Sequence, residues 1–164
     1  MKRISACAFA FVLPIVPAFG TGTVGVFTAI LDGSPMTCQI WTDQSDFHRF
    51  GNSRSVSIVS NRCEGVEAQI SLSFEQTGES ISALEIRLDG VDGGLALFAN
   101  TDTGATLEII SASEDGGFLS LSGNVSAQIG ASDDRGRTID LSAARELEIS
   151  FSGVIEGVGD CRGS

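Results

Sequence analysis

Apolar and polar residues alternate strictly along several stretches of this chain, and this alternation restricts it to folds built from half-buried β-strands. The longest such stretch covers residues 119–129, and two others cover 66–74 and 147–153. A period of two places one set of side chains in a core and the other set in water. One-sided strands are typical of antiparallel sheets rather than buried parallel ones. The pattern therefore predicts an all-β, antiparallel fold.

Turn-forming pairs separate the alternating stretches. Asp-Gly pairs at 32–33, 89–90 and 115–116 supply residues that tolerate the backbone angles of tight turns. About eight or nine short strands at this spacing indicate a sandwich or a barrel. Residues 141–147 (LSAAREL) are the one stretch with a helical appearance, and we expect at most one helical turn there.

The first 20 residues have the organisation of a secretory signal. Lys2 and Arg3 precede an apolar run at 4–19, which is shorter than the about 20 residues that span a bilayer. Small residues at suitable spacing permit cleavage after Ala18 or after Gly20. We therefore expect residues 1–20 to be removed and the protein to be exported to the periplasm, the cell surface or the medium.

Residues 21–164 then form one β-domain with a short, flexible C-terminal tail, a length that suits a single core. The chain carries 21 acidic and 10 basic side chains, and two of the basic ones lie in the predicted signal. So acidic a surface disfavours nucleic-acid binding, and we expect no membrane insertion after cleavage of the signal.

Three cysteines remain after the predicted cleavage: Cys38, Cys63 and Cys161. Export to an oxidising compartment favours one disulfide and one leftover thiol, and three single pairings are open. We favour Cys38–Cys63, with Cys161 as a free thiol in a glycine-rich tail. Closing that loop would stabilise the fold by roughly 3 kcal/mol.

Residues for catalysis or metal binding are sparse. His48 is the single histidine, and no nucleophile motif accompanies it. The aspartates of the turns lack the spacing of an EF-hand calcium loop. We therefore predict no catalytic, cofactor-binding or metal-binding residues, and a protein that is not an enzyme.

A set of short motifs surrounds the first two of the remaining cysteines. Gly22-Thr23-Val24 opens a strand-like run that ends at Cys38, a second strand-like run ends at Cys63, and Phe50-Gly51 lies between them. In these motifs the chain resembles chaperone–usher pilin subunits and the related spore-coat-protein-U-like secreted subunits. The resemblance covers about half of the chain that follows the signal.

The resemblance implies an immunoglobulin-like β-sandwich that lacks its last strand, which a neighbouring subunit would supply. Strand addition of this kind uses main-chain hydrogen bonds for affinity and alternate apolar side chains for fit. Val24, Val26, Thr28 and Ile30 have the alternation of a donor strand, and equally that of an ordinary first strand. Whether the sandwich is complete or lacks a strand therefore stays open at this point.

Two functions follow as expectations. The first is a non-enzymatic, exported structural subunit of a surface fibre or coat, which assembles by β-strand complementation with other protein subunits and a periplasmic chaperone as partners. The alternative is a self-contained periplasmic or secreted binding module, either an inhibitor or a loop-based ligand binder. Its first strand at 23–31 and last strand at 147–155 would both be built into the domain.

Overall fold

The computed structural model describes residues 25–91 and 94–158, in which ten β-strands make up the fold. The strands are β1 (Gly25–Leu31), β2 (Ser34–Gln39), β3 (Asp46–Phe50), β4 (Ser53–Val59), β5 (Gln69–Thr77), β6 (Ser80–Val91), β7 (Leu95–Asn100), β8 (Thr106–Asp115), β9 (Phe118–Ala131) and β10 (Asp140–Gly157). Single 3-10 turns at Thr42–Gln44 and Thr101–Thr103 complete the regular structure of this part of the chain. The predicted signal at 1–20, Val24 and Cys161 lie outside the described residues.

Tight turns join strands that are neighbours in sequence. Asp32 and Gly33 link β1 to β2 with φ values of 48° and 80°, and Gly116 and Gly117 link β8 to β9 with φ values of 57° and 86°. Positive φ at both central residues is the geometry that matches the twist of a two-residue hairpin. The turn residues identified in the sequence therefore set the register of both hairpins.

The strands form one sheet in the order β2-β1-β10-β3-β4-β5-β6-β7-β9-β8. The pairings are antiparallel except for a short parallel contact, in which Glu156 and Gly157 of β10 lie beside Asp46 and Phe47 of β3. β10 also pairs with β9, so that the pairings from β3 through β7, β9 and β10 close into a ring. β2 and β8 stand at the two ends of the order.

The core consists of one side of each alternating stretch. In β9 and β10 the buried apolar residues are Leu119, Leu121, Val125, Ala127, Ile129, Leu147, Ile149, Phe151 and Ile155. Their sequence neighbours, such as Ser120 and Glu148, are exposed. The largest fully buried side chains include Phe27 of β1 and Phe74 of β5. The alternation in β9 and β10 thus separates core from surface as predicted, whereas the stretch 66–74 departs at its start, where Val66 precedes β5 and is 48% exposed.

Two local expectations are corrected. Residues 141–147 belong to β10 and contain no helical turn, because Leu147 pairs with Leu31 on one side and Ala127 on the other. Cross-strand pairing outweighs helix propensity there. The strand count also exceeds the eight or nine expected, since the polar stretch Asp46–Phe50 forms β3.

Gly90, near the end of β6, lies where the backbone at Glu67 comes close to that of β6. Its φ is +80°, and a Cβ added there would lie 1.8 Å from the carbonyl oxygen of Glu67. Gly78 also has a positive φ of +61°, but a Cβ there would meet nothing within 4 Å. We expect Gly90→Ala to lower the free energy of unfolding by about 1–3 kcal/mol more than Gly78→Ala, because the backbone of 67 must move. Urea denaturation of the two variants measures this difference, and equal losses would contradict it.

Candidate functional site

The strand order ends at β2 and β8, and an unpaired strand edge is a place where another chain can add a strand. The two edges differ in how well they are covered. The expected function depends on strand pairing, so an interaction site is expected at one of these two edges.

The outer edge of β2 is covered by the segment that follows β4. The N–H of Asn61 donates to the carbonyl of Gln39 at 2.7 Å, and the N–H of Glu64 donates to the carbonyl of Thr37 at 2.8 Å. Pro35, near the start of β2, has no N–H to offer a partner strand. Together these features leave β2 little capacity to accept a further strand.

A disulfide between Cys38 and Cys63 fastens the same segment to β2, as the sequence predicts. The two Cα atoms are 4.0 Å apart, and both residues are buried. The N–H of Cys63 also donates to the carbonyl of Ala68 at 2.8 Å. The disulfide therefore holds the segment after β4 against the outer edge of β2. Cys161, predicted to be a free thiol, lies outside the described residues.

The outer edge of β8 is open. Among the described residues β8 pairs with β9 alone, from Thr106 opposite Ser126 to Asp115 opposite Phe118. Because an antiparallel strand points alternate main-chain groups to its two edges, about half of those of β8 face away from β9. Ile110, in the middle of the strand, is 63% exposed. This edge offers hydrogen-bonding groups and an apolar side chain to an added strand.

Two features limit which strands can pair with β8. Its register with β9 shifts between Ile109 and Ser111, which marks a β-bulge. Glu108, Glu114 and Asp115 give it a negative charge. Glu114 is held by Arg49 of β3, whose Nη2 donates to Oε2 at 2.7 Å, and this hydrogen bond raises the pKa of Arg49 above its ordinary value. An added strand must therefore match both the bulge and the charges.

The residues proposed from the sequence as a donor or first strand lie in β1. β1 pairs with β10 along one edge and with β2 along the other, so it is an internal strand of its own sheet. Val26, Thr28 and Ile30 lie on the solvent side of β1, with Val26 38% and Ile30 39% exposed. The buried set consists of their neighbours Phe27, Ala29 and Leu31. Val24 lies outside the described residues.

A shallow groove of about 730 Å³ runs over the solvent side of β1, β10 and β9. Val26 and Val154 contribute apolar surface, and hydroxyl groups such as those of Ser122 and Ser152 surround it. The groove holds no charged side chain except Glu64 at its rim. The groove is open to solvent and does not form an enclosed cavity.

His48, the single histidine of the sequence, lies on β3. Its ring stacks on that of Phe50, with centroids 6.1 Å apart, and both side chains are exposed. Within residues 25–91 and 94–158 it has no side-chain hydrogen bond to a serine or an acid. Among the described residues, the ring contact with Phe50 is thus the side-chain interaction of His48. Trp41, which directly precedes the 3-10 turn at Thr42–Gln44, is 39% exposed.

The aspartate-rich turn between β9 and β10 is held together by its own hydrogen bonds. Ser132 Oγ and the N–H of Thr138 each donate to Asp134 Oδ1 at 2.8 Å, and the N–H of Gly136 donates to Ser132 Oγ at 2.8 Å. The bonds from Thr138 and Ser132 lower the pKa of Asp134 to about 2. The carboxylate of Asp134 therefore stabilises the turn by accepting these hydrogen bonds.

This pKa gives a test in acid. A carboxylate whose pKa is lowered in the folded state stabilises the fold above its unfolded pKa and loses that effect as the pH falls toward the folded pKa. We expect Asp134→Asn to be less stable than the unmodified protein at pH 7, and the difference to shrink between about pH 4 and pH 2. Thermal melting across this range measures it, with Asp133→Asn as a control for the loss of an adjacent charge. A difference that does not change with pH would contradict the assignment.

Two further kinds of feature are absent from the described residues. The described residues contain no helix whose length and apolar character would let it cross a membrane. They also contain no group of three or more histidine, cysteine, aspartate or glutamate side chains placed to hold a metal ion.

The chain matches no protein-family model, no curated protein and no solved structure. The geometry of its edges and faces is therefore what bears on its function.

Proposed function

We propose that this protein is a non-enzymatic, exported structural subunit of a bacterial surface fibre or coat, and that it joins other protein subunits by β-strand pairing. The observation that carries the proposal is the open outer edge of β8, which spans ten residues from Thr106 to Asp115. Soluble proteins normally cover or shorten such an edge because it attracts other strands. A long open edge beside a covered one, that of β2, favours a strand-pairing contact on one side.

The proposed architecture is an immunoglobulin-like sandwich. One layer would contain β2, β1, β10, β9 and β8, and the other β3 to β7. The strand order supports it, because β10 contacts β3 through two residues and β9 contacts β7 through two residues, as expected at corners between layers. In this proposal the sandwich is complete, since β1 and β10 pair along Gly25–Leu31. Strand pairing then happens at the edge of β8 and does not fill a missing position.

A second candidate is a self-contained periplasmic or secreted binding module. The specific observation in its favour is that β1 and β10 are both built into the sheet, which needs no strand from a neighbour. The groove over β1, β10 and β9 would then be the surface that contacts a ligand or protein. In this case β8 would remain solvent-exposed in the functional state.

Cell imaging distinguishes the two. The full chain, with an epitope tag at its C-terminus, is expressed in a bacterial host and located by immunogold electron microscopy. The structural-subunit proposal predicts label in fibres or in a continuous surface layer. Label on dispersed monomers in the periplasm or medium would instead support the binding module. Retention in the cytoplasm with residues 1–20 intact, read by mass spectrometry, would overturn both.

A further inference from the structure

We infer that the strand added at the open edge of β8 is β8 of a second copy of this chain, antiparallel and related by a two-fold axis. This inference rests on the proposed function, because it names the partner of the same edge. A two-fold contact closes on itself, so the β8 pair would be the building block of the fibre or coat, and other contacts would join one pair to the next. It is argued from the bulge, the charges and the exposed isoleucine of Thr106–Asp115.

The bulge decides which residues of β8 share a face. Before it, Leu107 lies opposite the buried Val125, and after it Ala112 lies opposite the buried Leu121. Residues that lie opposite each other point to the same face, so the core-side residues of β8 are odd-numbered before the bulge and even-numbered after it. A partner strand continues both faces of the sheet when core-side residues oppose core-side residues. The regular strand β9 pairs with β8 only by leaving Ile110 without an opposite residue, whereas a second β8 changes phase at the same place and can pair through the centre with no register shift.

One antiparallel register meets this condition along the whole strand. Its two-fold axis passes between Ile110 and Ser111, so that each bulge lies beside the other at the axis. The opposed residues are then Thr106 with Asp115, Leu107 with Glu114, Glu108 with Ser113, Ile109 with Ala112, and Ile110 with Ser111. A shift by one residue in either direction would place core-side residues opposite solvent-side ones.

The same register is the one that the charges tolerate. Glu108, Glu114 and Asp115 each oppose an uncharged residue, and like charges directly opposite would destabilise the pairing. A shift by two residues in one direction would oppose Glu108 to Asp115. A shift by two in the other direction would lose two residues of pairing. The faces therefore select this register, and the charges exclude one of the two registers that lie two residues away.

Ile110 adds an apolar contribution at the centre. It is 63% exposed in the single chain, and in the proposed pair the two copies of Ile110 flank the axis, where the opposing strand covers them. Each chain carries a formal charge of −11, so the two copies repel each other at long range. Association should therefore strengthen as salt screens that repulsion.

The first test measures self-association of the purified protein by sedimentation equilibrium over a concentration series, at low and at moderate salt. We expect a monomer–dimer equilibrium that tightens with salt. Ile110→Glu should weaken the dimer by about tenfold or more, since it removes the apolar contact and adds a like charge beside the axis. Leu95→Glu, at a 70% exposed residue of β7, makes the same change elsewhere and should have little effect.

The second test determines which residues of the two copies of β8 lie opposite each other. Glu108 of each copy should lie opposite Ser113 of the other, so Ser113→Arg would create two equivalent ion pairs and Ser113→Glu two repulsions. We expect the dimer to tighten by about threefold to tenfold in the first variant and to weaken similarly in the second. Leu95→Arg changes the net charge equally but meets no partner residue. Ser113 is exposed, so these variants keep the test valid even if Ile110→Glu fails to fold.

The outcomes separate this inference from the proposed function. A protein that stays monomeric at all concentrations, or a dimer that Ile110→Glu and both Ser113 variants leave unchanged, would overturn pairing through β8. If such a protein still formed fibres or a coat on cells, the structural role would stand with a different contact. A dimer that responds as expected but never enters a surface assembly would retain the β8 pairing and overturn the structural role.

Discussion

Replacing Phe27 by alanine is expected to lower the free energy of unfolding by about 3–5 kcal/mol, the range for removal of a buried aromatic side chain. Phe27 is fully buried in β1, and its ring lies 6.0 Å from that of Phe151 in β10, centroid to centroid. The substitution removes this contact and leaves a cavity in the core beside the paired strands β1 and β10. Urea denaturation followed by circular dichroism measures the loss.

Val26→Ala is the matched control for this experiment. Val26 precedes Phe27 in the same strand but lies on the solvent side, 38% exposed. We expect its replacement to change the free energy of unfolding by about 0.5 kcal/mol or less. A comparable loss in both variants would mean that β1 is not seated with Phe27 toward the core. It would then reopen the alternative in which Val26, Thr28 and Ile30 are the residues that insert.

Removing the disulfide is the second large change. We expect the double variant Cys38→Ala and Cys63→Ala to lose about 3 kcal/mol, because the unfolded chain is released from a crosslink with a sequence separation of 25 residues. Both sulfur atoms are also removed from buried positions, which adds to the loss. The segment 61–64 would then be held against β2 by its hydrogen bonds alone.

Reduction provides the control for the disulfide. A reducing agent should lower the denaturation midpoint of the unmodified protein to near that of the double variant, and should leave the double variant itself unchanged. A midpoint that is insensitive to both reduction and substitution would show that the crosslink does not limit the unfolded chain. A loss seen only on substitution would instead assign the effect to packing of the sulfur atoms.

Much of the fold could be predicted because the information is local. The alternation at 119–129 and 147–153 identifies β9 and the centre of β10, and the Asp-Gly pair at 32–33 identifies the first hairpin. These signals come from the order of apolar and polar residues, which indicates directly which side chains face a core. The pairing of Cys38 with Cys63 was also accessible, since both lie beside strands.

Other features depend on residues far away in sequence. Residues 141–147 have a helical composition, yet they extend β10, whose residues 145–147 pair with β9 and whose Leu147 also pairs with β1. Nor did the sequence distinguish the covered edge of β2 from the open edge of β8, since covering depends on where the segment after β4 lies. One signal was present, however: the alternation that includes Ala105, Leu107 and Ile109 breaks at Ile110, where the bulge occurs.

The position of β10 in the pairing scheme has a consequence for the timing of folding. The strand that pairs with β1, β3 and β9 is the last one of the described chain to be synthesised. β1 has its hairpin partner β2 from the start, but its other edge stays unpaired until residues 147–153 have emerged. Contacts between such distant residues form slowly. The pairing of β1, and with it the sheet, is therefore completed only after the last strand of the described chain has been made.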